Sequence, residues 1–278
     1  MACGKLVNIH AHLHTTQDVS ATVRQWTADG VVKTCVLAEP SFWMPPNSTY
    51  MGNADVLKWR REFPDAIVGM GAVELGQNMG CPDDIRRLKD EGFEGLKFDM
   101  PSHPYDHDRY FPLYAAAEEL HMPILFHTGY VARLEVSDRR CHPSSDYMRP
   151  FRLDRIARAF PNLPLIGAHL GLPHGHEALA LLSLPNVYYD ISGGGGQKPH
   201  LSKLKKALAP FPGADWDNPQ ENLALEQFKK LVFGTDNPPV SVWYPASEEI
   251  LNYLHIPGET RELFYWKTAA AIFGWTGL

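Results

Sequence analysis

Eight short apolar runs, each followed by a longer stretch of helical periodicity, constrain this chain more than any other feature. The runs fall at 6–10, 31–38, 66–73, 95–98, 123–127, 165–169, 187–191 and 231–234. Each is rich in Val, Ile and Leu on both faces, as a strand must be when helices cover both sides of a parallel sheet. The stretches between them predict helices at 19–29, 54–63, 83–91, 113–121, 152–160, 177–183, 203–208 and 221–230, with two more at 247–254 and 261–273. Gly92 and the prolines at 64, 123, 161 and 185 mark several of the stops. Eight β–α alternations without a compositional break predict a (β/α)8 TIM barrel spanning 1–278 as one domain, a usual length for that fold. A doubly wound open sheet would want a glycine-rich turn after its first strand. The sequence HAHLHTT stands there instead.

The residues that end these runs carry the chemistry. His10 and His12 close the first, and residues two apart on a strand point to the same side, so both imidazoles can grip one cation. His127 ends the fifth run in PILFHTG, His169 the sixth in PLIGAHLG, and Asp236 follows the eighth in LVFGTDNP. The carboxyl ends of barrel strands form the catalytic face. Taken alone, a strand-end His or Asp also serves as a helix cap or a backbone partner; five of them at one mouth favour a metal site. Imidazole with carboxylate suits Zn²⁺, and also Mn²⁺ or Fe²⁺. Catalytic sites of this kind keep one position open for water, whose proton Asp236 can take.

In this order, the segments NIHAHLH, EGLKF, MPILFHTG, FPNLPLIGAHLG, LPNVYYDIS, LVFGTDNP and AAAIFGW resemble the amidohydrolase superfamily. The likeness is to its amidohydrolase-2 group, which includes aminocarboxymuconate-semialdehyde decarboxylase, and it runs nearly end to end. It implies metal ligands at His10, His12, His127 and Asp236. It implies that His169 is either an acid/base beside a single metal or a ligand to a second. It gives Lys97, which ends the fourth run in GLKF, two readings: a carboxylated bridge between two metals, or an ammonium facing a carboxylate of the mouth or of the substrate. One ion is favoured over two. The chain departs from the group at Asn8, where an Asp is usual, and at Thr268, where an Asn is usual. Asn8 can still accept hydrogen bonds but supplies no charge.

Substrate contacts are expected from the loops. Arg133 and Arg149, after the fifth run, suit bidentate capture of a carboxylate. Trp43, in PSFWMPP, suits a pocket wall, and Glu74 ends the third run. The four glycines at 193–196 lack the Lys-Ser/Thr of a phosphate-binding loop. His174 and His176 read as a helix start and His103 and His107 as surface residues, while His200 receives no role. A net charge of −6 without a dense basic cluster argues against nucleic acid and anionic membranes. Four scattered cysteines without a CxxC pair read as reduced thiols. With no signal peptide or apolar span in view, the expectation is a cytoplasmic protein. A homodimer is the default assembly.

These features predict a metal-dependent hydrolase acting on an ester, lactone or amide bond of a small organic acid through metal-activated water. Nonoxidative decarboxylation of an aromatic or unsaturated carboxylic acid, which the group performs with the same ligands, is the runner-up. A metal-independent lactonase and a non-catalytic acid-binding barrel rank behind both.

Overall fold

The computed structural model describes residues 4–40, 47–76, 78–131, 144–193, 199–208 and 223–278. All eight apolar runs form parallel strands of one sheet, in spatial order β1 to β8: β1 (Leu6–Ala11), β2 (Val31–Leu37), β3 (Ile67–Ala72), β4 (Gly95–Phe98), β5 (Ile124–Phe126), β6 (Leu165–Gly167), β7 (Val187–Asp190) and β8 (Leu231–Val232). The helices are α1 (Val19–Ala28), α2 (Asn53–Glu62), α3 (Pro82–Glu91), α4 (Phe111–Glu119), α5 (Arg152–Ala159), α6 (Gly175–Leu181), α7 (Leu201–Leu208), α8 (Leu223–Phe228), α9 (Val240–Tyr253), α10 (Gly258–Glu262) and α11 (Thr268–Phe273). This is the (β/α)8 TIM barrel expected from the sequence. No helix of the described residues is long and apolar enough to cross a membrane.

Two apolar layers hold the barrel. An inner cluster joins Val7, Ile9, Cys35, Leu37, Val68, Met70, Leu125, Ile166 and Val232 to Ala269 and Ile272 of α11. A larger outer cluster packs the helices on the strands through residues such as Val23, Ile85, Leu113, Ile156 and Trp243. Burial at this density contributes most of the stability.

The barrel closes between β1 and the segment after β8. Ile9 N–H donates to Phe233 O (2.9 Å), Thr235 and Asp236 N–H to His10 O (3.0 and 2.8 Å), and His12 N–H to Asp236 O (3.2 Å). Three residue steps of β1, from Asn8 to Ala11, cover the distance that two steps of β2 cover from Thr34 to Val36. An extra residue of this kind re-aims side chains and recurs beside active sites. The closing seam is thus the place where His10, His12 and Asp236 meet.

Two helices differ from the sequence reading. α9 begins at Val240 rather than 247, and it runs through Pro245. A proline inside a helix loses a backbone bond and normally ends it, but buried Val240 and Trp243 anchor this first turn in the core. The stretch expected as one helix over 261–273 is broken into α10, a π-turn at Leu263–Lys267 and α11. The π-turn frees Phe264 O to accept from Phe233 N–H (2.9 Å), which ties the end of the chain to β8.

Candidate metal centre and its cavity

A cavity of about 660 Å³ opens at the carboxyl ends of the strands. His10, His12, His127, His169, Asp236 and Lys97 all line it. At its floor three lone-pair atoms face one another. His10 Nε2 and His12 Nε2 are 3.3 Å apart, and Asp236 Oδ1 lies 3.5 Å and 3.3 Å from them. Tetrahedral ligands around an ion at about 2.1 Å stand roughly 3.4 Å from each other, so the spacing fits a small divalent cation. Asp236 reaches this position through a backbone φ of 65°, a strained conformation that an Asp tolerates better than most residues.

His127 faces the same cavity from β5 but stands outside this triangle. Its Nε2 is buried and has no hydrogen-bond partner, an orphan that a metal or a ligand would satisfy. His169 packs between the two groups, with ring centroids 5.1 Å from both His10 and His127. Its φ is 61°, and Leu170 and Gly171 beyond it are also positive. A second cluster able to hold a cation joins His10, His169 and Asp190.

Asp190, at the end of β7, organises the centre. Its Oδ2 accepts from His10 Nδ1 (2.8 Å), and its Oδ1 accepts from the backbone N–H of His169 (2.8 Å) and Ser192 (2.9 Å). The Ser192 hydroxyl donates to the same Oδ1 at 2.5 Å, which leaves its lone pairs for His169 Nδ1 at 3.0 Å. Both imidazoles are thereby protonated on Nδ1 and present bare Nε2 atoms to the cavity, the tautomer a metal ligand or a base requires. Sequence reading gave Asp190 no role, although it stands next to the end of the seventh run, 187–191. Replacing it with Ala is expected to weaken metal affinity by about 10- to 100-fold, measured by competition with a chromophoric chelator; unchanged affinity would mean that His10 needs no such orientation.

Burial sets the charge states. Desolvation lowers the pKa of His12 to about 4 and that of His127 to about 3, and it lowers His169 as well. For Asp236, burial acts upward, but the bond to His12 and the nearby imidazoles outweigh it and hold the carboxyl well below its usual range. Asp190 is likewise held low, by His10, His169 and Ser192 against its burial. His12, His127 and His169 are therefore held neutral beside the ionised carboxylates of Asp236 and Asp190. In the metal-free protein, His12 and His127 stay neutral to about pH 4 and 3, whereas the unfolded chain protonates them near 6.5. The unfolded form then binds more protons through that window, so stability falls as pH drops from 6.5 towards 4. Urea midpoints across this range test it, and a flat profile would show that the imidazoles are not desolvated.

Gly193 holds the loop after β7 against His169. It has φ 87°, and an added Cβ would stand 2.5 Å from His169 Nδ1. Gly193→Ala is expected to displace that imidazole and lower turnover on the order of tenfold or more, since a misplacement of about 1 Å at a reacting group costs as much as 100-fold. Full activity in the variant would show that the ring can move freely.

Of the expected loop contacts, Arg149 and Glu74 are among the described residues. Arg149 lies outside the cavity wall: its guanidinium is held by buried Glu177 and lies 3.7 Å from Asp146. Its Nη2 is engaged by Glu177, so a substrate carboxylate would have to compete for the guanidinium. Glu74 borders a separate cavity of about 370 Å³, beside Asn53, Asp84 and Arg87. Trp43 and Arg133 lie outside the described residues. Among the described residues the wall is built by Tyr50, Met100, Tyr130, Leu172, His200 and Leu204. These sit in loops or on helix faces, where no periodic signal marks them. Glu39, after β2, puts Oε1 3.1 Å from His12 Nδ1, an off-line approach for a hydrogen bond.

Comparison with known proteins gives the family. The amidohydrolase family model, Amidohydro-2, matches residues 42–275. The chain belongs to this family. The matched region contains His127, His169 and Asp236, and His10 and His12 lie ahead of it. No curated protein sequence matches the amidohydrolase. Among solved structures it is similar to 2,6-dihydroxybenzoate decarboxylase from Rhizobium, with 15% identity, 100% of both chains covered and a TM-score of 0.63. It is similar also to a protein assigned as a 2-pyrone-4,6-dicarboxylic acid hydrolase from Pseudomonas putida, with 16% identity, 99% of this chain and 100% of that one covered and a TM-score of 0.62. A third is 4-oxalomesaconate hydratase from Rhodopseudomonas palustris, with 12% identity, coverage of 97% and 95%, and a TM-score of 0.62. Likeness at such identities carries the fold alone; the family assignment rests on the sequence match.

Proposed function

We propose that this amidohydrolase hydrolyses an ester, lactone or amide bond of a small organic acid, with one Zn²⁺ held by His10, His12 and Asp236 and completed by His127. The observation that carries this reading is the triangle of His10 Nε2, His12 Nε2 and Asp236 Oδ1 at 3.3–3.5 Å on the cavity floor. When bound, such an ion acts as a Lewis acid and lowers the pKa of water. The protein groups do the rest. Ionised Asp236 accepts the proton of the attacking water. His169, with Nδ1 engaged by Ser192, relays it through Nε2 to the oxygen or nitrogen that leaves. Tyr50, Met100 and Leu172 form the wall that excludes bulk water. Mn²⁺ or Fe²⁺ would suit the same donors. The reading carries with it a cytoplasmic location and a homodimer.

Decarboxylation of an aromatic acid is the second reading. It is supported by the aromatic and apolar wall and by the likeness to a dihydroxybenzoate decarboxylase over the whole chain. Product analysis on a panel of lactones, esters and aromatic acids separates the two. Acid formed without carbon dioxide supports hydrolysis; stoichiometric carbon dioxide replaces it with decarboxylation. Turnover that survives EDTA and dialysis would remove the metal from both.

A further inference from the structure

Lys97 is the unexplained charge of this cavity. It is the penultimate residue of β4 and is 1% exposed, yet it lines the cavity. Among the described residues its ammonium makes no hydrogen bond and no ion pair within 4 Å; its influence on Glu39, His12 and His127 is felt only at longer range. A buried ammonium without a bonded counter-ion is costly. The nearest acids each turn one oxygen elsewhere: Asp99 Oδ1 accepts from Met100 N–H, and Glu39 Oε1 turns towards His12, so they act on Lys97 only through longer-range attraction. An anion bonded directly to the ammonium would have to enter from the cavity.

The topology fixes where that anion would lie. With the strands in order β1 to β8, β4 is four strands from β8 in the ring. Lys97 therefore approaches from the wall opposite Asp236, across a space bounded by Met100, Tyr130 and Leu172. We infer that Lys97 is the receptor for a substrate carboxylate, which selects small acids with a flat or apolar body and holds the carboxylate away from the metal-binding triangle. The group that meets the triangle is then the other end of the molecule. The carboxylate is the anchor rather than the reacting group, and this orientation rests on the hydrolase reading; the anion subsite itself does not.

Titration calorimetry on metal-free protein tests the subsite without turnover, with benzoate and its neutral isostere benzamide as probes. Benzoate is expected to bind about tenfold or more tightly than benzamide, and Lys97→Met to lose about tenfold or more of that affinity, because removing one partner of a desolvated charge pair is expensive. Lys97→Arg should retain part of it. Circular dichroism checks each variant, and the benzoate–benzamide comparison in the unmodified protein stands even if Lys97→Met fails to fold. Equal binding of the two probes, or unchanged benzoate affinity in a folded Lys97→Met, overturns the inference. So does a carbamate resonance on Lys97 after incubation with ¹³C-bicarbonate, because a carboxylated lysine is anionic. If benzoate binds through Lys97 but every panel substrate yields carbon dioxide, the subsite stands and the hydrolase reading falls.

Discussion

Asp236→Ala is expected to purify with almost no bound transition metal and to lose activity on the order of 10³-fold or more. Two losses coincide in this side chain. Its Oδ1 is the negatively charged corner of the donor triangle, 3.3 Å from His12 Nε2 and 3.5 Å from His10 Nε2. Its carboxylate, kept ionised by those same imidazoles, is also the base of the proposed mechanism. The backbone complicates the alanine variant: φ at this position is 65°, and Ala pays more than Asp for that conformation. Asp236→Asn removes the charge and keeps the shape, since Asn tolerates positive φ. It should fold as the parent does, hold metal more weakly and turn over at a similarly low rate. Elemental mass spectrometry on protein purified without an affinity tag measures the first effect. A full metal complement in both variants would show that Asp236 is not a ligand.

The barrel could be read from the sequence because its signal is local. A strand buried on both faces needs only a few consecutive apolar residues, and all eight expected runs became β1 to β8 within a few positions of their predicted ends. α9 starts at Val240, ahead of Pro245, because core packing of Val240 and Trp243 overrides a residue that normally ends a helix, and packing is not visible along a chain. The same distinction divides the site. His10, His12, His127, His169 and Asp236 stand where apolar runs stop, so the barrel's own geometry carries them to one mouth. Arg149 shows the limit of that logic. Its charge is legible, but Glu177, 28 residues further on, is what occupies it. Tyr50 and His200 reach the cavity from loop positions that no periodicity marks. Asp190 stands inside the expected run 187–191, and an acid followed by Ile-Ser has no ligand spacing of its own, so only the fold brings it against His10.

His169→Asn is expected to lower turnover by about 10²- to 10⁴-fold, the usual contribution of a positioned acid–base group, and to leave one metal ion per chain in place. Asparagine is the right probe because His169 has φ 61° and leads a stretch of three residues with positive φ; Asn accepts that backbone where Ala is strained. The imidazole stands at ring contact with both His10 and His127 while remaining outside the donor triangle. Its Nδ1 is fixed by Ser192, itself bound to Asp190. On the proposed reading this nitrogen handles protons beside the donor triangle rather than within it, so loss of rate and loss of metal should separate. The alternative is written into the same residues, because His10, His169 and Asp190 form the second cluster able to hold a cation. If the parent protein carries two ions per chain and His169→Asn carries one, that cluster is a metal site, and the acid–base role passes to Asp236 alone. If metal content is one in both and turnover is unchanged, His169 only packs against the ligands, and the departing group must be protonated by water.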